Sequence, residues 1–278
     1  MDLSVVTPSL NMLAYLRRCH ASVADQRGGT VEHIVVDGGS SDGSAEFVRQ
    51  APDLVGIVGP DAGMYDAINK GLRLARGPIV AYLNCDEQYL PGTLRYVKAV
   101  FDADPWVDLV AGDTLLIRPD GSLIAYRKAY PLPPALMLVG PLQVYSSSLF
   151  FRRRIFDDGH YFDPSLRDLG DYELLERLLR CDYQLRICRR YLSAFTMTGA
   201  NRESGPNARR EADQLRARLP RIMLGLSRPL CLVRWTIKLL TGAYCQPMPL
   251  AYAVYASSQA TARRAFVVDK ASFRWRQA

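Results

Sequence analysis

Along the first hundred residues the hydrophobic pattern switches repeatedly between two periods. Short apolar runs at 3–7, 31–37, 55–58 and 79–83 predict buried strands. Between them, apolar residues three and four apart predict helices over 13–23, 45–50, 65–75 and 94–101, with Ile68, Leu72 and Ala75 on one side of the third. Strands alternating with helices predict an α/β fold, a mostly parallel sheet flanked by helices. After Ala103 the rhythm changes. Residues 109–117 and 122–126 flank Arg118-Pro119-Asp120-Gly121, a turn sequence, and predict a hairpin. Residues 131–134 read as a loop, 149–152 as a short strand and 172–179 as a helix. Residues 208–224 and 228–243 predict basic amphipathic helices, and no internal repeat is visible. The chain therefore divides into a domain over 1–200 and a helical extension over 201–278.

In open parallel sheets, ligands bind at the carboxyl ends of the strands. Here the predicted strands run into Thr7-Pro8-Ser9-Leu10-Asn11, Asp37-Gly38-Gly39-Ser40-Ser41-Asp42-Gly43, Asp61-Ala62-Gly63 and Asn84-Cys85-Asp86-Glu87. Four successive strands opening onto one edge with small, flexible or acidic residues predict a site there. Glycines at the second end permit positive φ and close approach of a ligand, and Asp37 could accept hydrogen bonds from a base or ribose. The pattern is not GxGxxG, and Asp42 reads as a cap for the next helix. Tyr65, Asp66, Asn69 and Lys70 fall on the first turns of the third helix. Asn69 lies near the strand-end edge, whereas Asp66 and Lys70 are spaced for a local ion pair. At Asn84-Cys85-Asp86-Glu87, a hard cation such as Mg²⁺ or Mn²⁺ would find an oxygen ligand in Asp86, with help from Asn84 or Glu87. Such ions often take one or two carboxylates and complete their shell from substrate phosphates. Cys85 is expected to face away and pack. A further acidic set, Asp168, Asp171 and Glu173, opens the 172–179 helix, where Asp171 could be a helix cap, a general base, or both.

Charge changes the picture of the extension. The formal charge is +7, yet residues after 200 hold 14 Lys or Arg against 4 Asp or Glu, a balance of +10, leaving −3 for the rest. Such asymmetry points to an anionic membrane surface or a polyanion. Hydrophobic residues make up 49% and charged residues 23% of the chain, the values of a globular protein with a sizeable core. The six cysteines form no CxxC pair and the three histidines are scattered, so neither a zinc motif nor a disulfide scaffold is expected, and a reducing cytosol is the default. The opening residues enter a strand at once and lack signal-peptide features. The longest uncharged run, 239–262, is broken by Pro247 and Pro249 and reads as interfacial or packed helix rather than a span.

Taken in order and spacing, "VVTPSLN", "VVDGGSSDGS", "DAGMYDAINKGLRLARG", "YLNCDEQYLPGTL", "LFFRRRIF" and "LGDYELLERL" resemble the family 2 glycosyltransferases, which have the GT-A fold. The resemblance spans roughly 1–200, with a nucleotide-sugar half over 1–103 and an acceptor half over 104–200. It implies an inverting transferase using a nucleotide-diphosphate sugar, with uracil the commonest base. By analogy Thr7, Pro8 and Asp37 hold base and ribose, and Asp61, Asn69 and Lys70 lie near the donor. Ser9, Asn11, Gly39 and Tyr65 line the same edge. Asn84-Cys85-Asp86 takes the place of the DxD motif, with Asp86 the metal-binding acid, and Asp171 falls where the catalytic base is carried. Two departures stand out. Asn84 replaces the first acid, with Glu87 in place of a later Asp, and Leu142-Gln143 stands where a His-Gln pair is expected.

The implied acceptor is a glycan or lipid-linked molecule of surface polysaccharide synthesis. The tail would attach the enzyme peripherally to the inner face of the cytoplasmic membrane, through Arg209, Arg210, Arg216, Arg218, Arg221, Arg228, Arg234 and Lys238 interleaved with apolar residues and Trp235. The tail could instead pack on the catalytic domain or mediate a homo-oligomer. Few aromatics accompany the basic residues, so nucleic acid is not expected. A sugar nucleotidyltransferase would open with a Gly-rich basic loop after the first strand, which "TPSLNMLAYLRR" lacks. A non-catalytic nucleotide-sugar or membrane-binding module would not need both Asp86 and Asp171.

Overall fold

The computed structural model describes residues 1–278 apart from 27–28, 141, 200–204, 220–224 and 275–278. The first half follows the predicted alternation: β1 (Leu3–Ser9), α1 (Leu13–Ala24), β2 (Val31–Asp37), α2 (Ser44–Gln50), β3 (Leu54–Val58), α3 (Met64–Leu74) and β4 (Ile79–Tyr82). These four strands are parallel, with Val6 opposite Ile34 on one side and Tyr82 on the other. Side chains alternate between faces with period two. Val6, Ile34, Val36, Val80 and Tyr82 pack with Ile68 and Leu72 of α3. Leu3, Val5, Ile79, Ala81 and Leu83 pack on the other face with Cys19 and Val23 of α1. Each fully buried aliphatic side chain contributes about 1.5–3 kcal/mol, which is why strands apolar on both faces are stable only between two helical layers.

The chain then adds β5 (Glu87–Tyr89), α4 (Thr93–Ala103), β6 (Leu109–Ile117), β7 (Leu123–Arg127), α5 (Pro134–Met137), a 3-10 turn (Ser146–Ser148), β8 (Leu149–Arg152), α6 (Arg154–Asp157), α7 (Gly170–Arg180) and β9 (Leu185–Thr196). The sheet order is β3-β2-β1-β4-β8-β6-β9-β5, with β7 on β6. β8 runs antiparallel to both β4 and β6, so the sheet is mixed beyond its parallel half. The predicted β6–β7 hairpin is present, its turn closed by the Arg118 N–H on the Ser122 carbonyl (2.8 Å). β5 and β9 were not anticipated. Arg186, Arg189 and Arg190 interrupt the apolar run of β9, yet the Arg189 guanidinium bonds the carbonyls of Ala129 and Thr241 (2.8 and 2.6 Å), and Arg190 lies over the Tyr96 ring.

The extension holds α8 (Pro206–Arg216), α9 (Ser227–Leu240) and an antiparallel pair, β10 (Leu250–Val254) with β11 (Arg264–Val268). The 239–262 run, expected to be helix, instead ends α9 and forms β10, because Pro247 and Pro249 stop any helix there. Arg221, Ile222, Met223, the 220–224 end of the expected helix and the Arg228 side chain lie outside the described residues. The extension packs on the domain. Gln88 exchanges both amide bonds with the Tyr255 backbone (3.0 and 2.8 Å). Arg263 clamps both Asp25 oxygens (2.6 and 2.7 Å) and the Tyr89 carbonyl (2.7 Å).

Arg263→Ala removes a largely buried guanidinium that pairs with a partly exposed carboxylate and a strand carbonyl. The expected loss in urea denaturation is about 2–3 kcal/mol, with Arg263→Lys recovering only part because an ammonium cannot fork across a carboxylate. A loss below about 0.5 kcal/mol, the range of ordinary surface substitutions, would show that the hairpin is not anchored there.

Candidate active site

The strand ends meet at the carboxyl edge of the parallel half, and carboxylates hold their loops together. Asp37 is fully buried. It accepts the N–H groups of Gly39 (3.1 Å) and Ser40 (2.8 Å) on one oxygen and the Ser40 hydroxyl (2.6 Å) on the other. Asn11, at positive φ, ties the loop after β1 to the same turn, its backbone N–H donating to the Ser40 hydroxyl and its side-chain oxygen accepting the Ser41 N–H (2.8 and 2.9 Å). Asp42 caps as expected, accepting the N–H groups of Leu13 and Ser44 at the starts of α1 and α2 (2.8 and 3.0 Å). Gly39, at φ +91°, faces open space, while a Cβ on Gly38 would stand 2.7 Å from an Asp61 oxygen. Asp61 accepts the Gly63 N–H (2.8 Å), and the Arg167 guanidinium lies against Gly63.

Several predicted residues are held away from this edge. Thr7, Pro8 and Ser9 are buried; the Thr7 hydroxyl bonds His33 (2.9 Å), so the first exposed residues after β1 are Leu10 and Asn11. Asn69 is buried and exchanges two hydrogen bonds with the Phe162 backbone (2.8 and 3.1 Å), clamping the loop before α7 rather than facing the edge. Lys70 pairs with Asp66 (3.0 Å) and bonds the Pro60 carbonyl (3.0 Å), the local arrangement its spacing allowed.

Asn84-Cys85-Asp86-Glu87 is a tight turn between β4 and β5. Cys85 faces away, packed with Leu16, Val35 and Val48, and its thiol donates to the Pro8 carbonyl (2.9 Å). Burial pushes that thiol up to about 12, so Cys85 is a neutral packing group and not a ligand-binding one. Glu87 is fully buried and accepts the Asn84 N–H (2.7 Å). Burial and then the charge of Asp86 raise its carboxyl well above the usual range, with Asp171 adding to the rise. Glu87 is therefore the inner member of the acid pair, the one whose charged form burial disfavours, and Asp86 is the outer one, half-buried at the rim. The Asn84 side-chain oxygen is buried and accepts no hydrogen bond.

Asp171 sits in the first turn of α7, half-buried, beside a cavity of about 560 Å³ lined by Leu142, Tyr145, Asp168, Tyr172, Phe195 and Arg209 among others. Its carboxylate accepts the Tyr172 N–H (2.8 Å) and the Tyr65 hydroxyl (3.4 Å). Tyr65 itself is buried, stacked on Phe162, and Gly170 is required because a Cβ there would meet the Tyr65 ring at 2.6 Å. Burial, opposed by these donors, pushes the Asp171 carboxyl up to about 6. Glu173 is structural, paired with Arg177 and Arg218.

A residue not anticipated sets this geometry. Glu211 of α8 is buried and accepts the backbone N–H groups of Arg167 (2.8 Å), Asp168 (3.0 Å) and Leu169 (2.9 Å), the segment that leads into Asp171. Burial works against its charge, but those N–H groups and Asn207 hold its carboxyl below the ordinary range. Its only signal in the sequence is an acid among arginines, "ARREADQLRAR", a stretch that also carries the exposed Asp213.

A mixed α/β sheet with acids gathered at the carboxyl ends of its parallel strands places a ligand site at that edge. Comparison with known proteins gives the family: the profile described as glycosyl transferase family 2 matches residues 4–164, and the chain belongs to that family. It is 29% identical over 195 residues to a PGL/p-HBAD biosynthesis glycosyltransferase of Mycobacterium bovis, covering 68% of this chain and 73% of that one. It is 37% identical over 214 residues to an uncharacterized glycosyltransferase of Mycobacterium tuberculosis, covering 74% and 79%. Among solved structures, the mannosyltransferase PcManGT from Pyrobaculum calidifontis, in complex with GDP-Man and Mn²⁺, superposes with a TM-score of 0.55 at 19% identity, covering 89% of this chain and 76% of that one. TarS 1-349 of S. aureus in complex with UDP-GlcNAc gives 0.56 at 19% identity, covering 78% of this chain and 66% of that one. These likenesses establish the GT-A fold.

If Asp171 must be ionised to act, kcat/KM should fall about tenfold per pH unit below about 6 and level off above it, until a second group titrates. Glu211→Ala should lower the plateau and, by leaving three N–H groups without their acceptor, cost about 2–3 kcal/mol of stability. A profile flat down to pH 4.5 would remove Asp171 from the chemistry.

Proposed function

We propose that the protein is an inverting glycosyltransferase that moves a sugar from a nucleotide-diphosphate sugar, UDP-linked by preference, to a hydroxyl of a glycan or lipid-linked acceptor in surface polysaccharide synthesis. The observation that carries this reading is the juxtaposition of Asp171, in a cavity and raised toward neutrality, with the acid turn at Asp86. Asn11, the Asp37 loop with Gly39, and Asp61 form the nucleotide edge, where backbone and carboxylate groups of the loops meet the base and ribose. Asp171 takes the proton of the acceptor hydroxyl as it attacks the anomeric carbon from the face opposite the diphosphate. One displacement inverts the centre, so an α-linked donor gives a β-linked product.

A divalent cation, Mg²⁺ or Mn²⁺, fits the turn. Asp86 stands at the rim, the buried Asn84 oxygen lacks a donor, and Glu87 is turned inward with its charged form disfavoured by burial. Among the described residues no three His, Cys, Asp or Glu side chains converge on one point, so such an ion would draw the rest of its shell from diphosphate oxygens and water. Such an ion supplies Lewis-acid stabilisation of the departing diphosphate. The chain's own part is to hold Asp86 and Asn84 in that turn through Glu87 and the Cys85–Pro8 bond.

The extension gives a reason for peripheral attachment to the inner face of an anionic membrane, and it differs from a basic stripe. In α9, Arg234 points inward, 5% exposed, and donates to the carbonyls of Leu136 and Met137 (2.6 and 2.8 Å). The outer face carries Leu232 (62% exposed), Trp235 (51%), Leu239 and Leu240 (81%). An exposed apolar stripe with Trp on a cationic extension suits the interfacial region of a bilayer. Among the described residues no helix is long and apolar enough to cross one.

Calorimetric titration with UDP, GDP and dTDP, with and without Mn²⁺, tests the donor. One nucleotide should bind only with the ion, Asp86→Ala should abolish that binding, and Asp171→Asn should keep it while lowering transfer by about 10²–10⁴-fold. Binding of none of the three would overturn the reading. Trp235→Asp with Leu239→Asp should lower flotation on anionic vesicles about tenfold or more; unchanged flotation would dismiss the membrane contact.

A further inference from the structure

On the other side of the Leu142–Tyr145 segment lies a second cavity, of about 490 Å³, which shares Leu142, Val144 and Tyr145 with the one beside Asp171. Its chemistry is different. Arg127, Lys128, Lys238 and Arg274 line it, and no carboxylate does among the described residues. The four cations meet carbonyls and rings instead: Arg127 bonds the Phe273 carbonyl, Lys128 the Cys245 carbonyl (2.5 Å), Lys238 lies over Tyr130 and Tyr244, and Arg274 over Phe273. Gln143 supplies an independent sign. It is 3% exposed, lines this cavity, and neither its amide nitrogen nor its amide oxygen has a hydrogen-bond partner. A buried amide left bare is costly, so such groups mark places where a ligand completes the bonding.

We propose that this cavity is an anion site that receives a phosphate group carried by the acceptor, with Lys238 and Arg274 supplying charge and the Gln143 amide a directed donor. The assignment to the acceptor rests on the reading of Asp171 as the base; the binding itself does not. Asp113, buried behind the wall, faces Lys128 and Arg189, whereas Lys238 sits among cations that repel it: burial, followed by the charges of Arg127 and Arg234, lowers its pKa. A phosphate would relieve that repulsion, and its oxygens suit guanidinium and ammonium donors. The shared wall lets one molecule bridge its phosphate here and its hydroxyl at Asp171. The phosphate could belong to a soluble phosphate ester or to a lipid headgroup; the chemistry recognised is the same.

The test is a pair of titrations on the full chain. Inorganic phosphate and pyrophosphate are titrated calorimetrically, and vesicles of phosphatidic acid in phosphatidylcholine are used for flotation, each with wild type, Lys238→Gln/Arg274→Gln, Gln143→Leu and Asp86→Ala. The proposal expects at least one of these probes to lose about tenfold in affinity in the double variant and several-fold in Gln143→Leu, with Asp86→Ala unchanged. Loss with the soluble anions assigns a phosphate ester, and loss with vesicles alone assigns a headgroup. UDP with Mn²⁺ should show the reverse pattern, so failure of the donor site and failure of this one are separable. Equal binding of every probe by wild type and the double variant, or no binding at all, overturns the proposal. Gln143→Leu, which adds no charge change, keeps the test decisive should the double variant unfold.

Discussion

Carboxylates accepting backbone N–H groups hold this site together. A parallel sheet ends in loops whose N–H groups have no ladder partner, and in a half-buried setting each must be satisfied. Asp37 does this for the loop after β2, Asp42 for the starts of α1 and α2, Asp61 for the start of α3, and Glu211 for the segment before α7. Glu87 does the same inside the acid turn. Remove these acceptors and the loops have no fixed shape. The acidity of the edge is structural before it is chemical.

That division explains the distribution of roles. An acid that accepts two or three N–H groups is stabilised as the anion and held still, as Glu211 is. An acid with fewer donors in the same low-dielectric setting is pushed the other way. Asp171 has the Tyr172 N–H and a long bond from Tyr65, and its carboxyl rises to about 6. Its carboxyl is thus raised toward neutrality, while in the neighbouring pair burial and the charge of Asp86 push the Glu87 carboxyl up. The number of donors around each acid therefore separates the anchors, held as anions, from Asp171, whose carboxyl is raised.

The parallel half of the fold was legible because it obeys simple periods. β1 to β4 are apolar on both faces and their helices carry one apolar stripe, so the pattern states the layers directly. β9 was hidden because its arginines are exposed or bond carbonyls while its later residues enter the core. β10 was hidden because an uncharged run broken by prolines carries no period. At the site, the positions of Asp37, Asp61 and Asp86 on one edge could be read from the ends of the predicted strands, whereas spacing left Asp171 open between cap and base and only the family resemblance placed it there. What could not be read was which acids face inward. Glu87 and Asp86 are adjacent and chemically alike, yet one is fully buried; Asn69 belongs to the Phe162 loop through a contact 93 residues away. Glu211 acts from the extension, outside every motif. The direction of Arg234 and Trp235 on α9 likewise depends on what the helix packs against, and period alone gives two faces without saying which is inner.

The central claim is that Asp171 is a base whose affinity for protons is set by burial and by the Glu211-held segment. Its carboxyl carbon, followed by ¹³C NMR through a pH titration with Asp171→Asn to assign the signal, measures that property without substrate. A midpoint near 6 in the wild type agrees with the structure. A midpoint near 4, the ordinary range of an exposed aspartate, would contradict it and leave the α7 acid as no more than a helix cap.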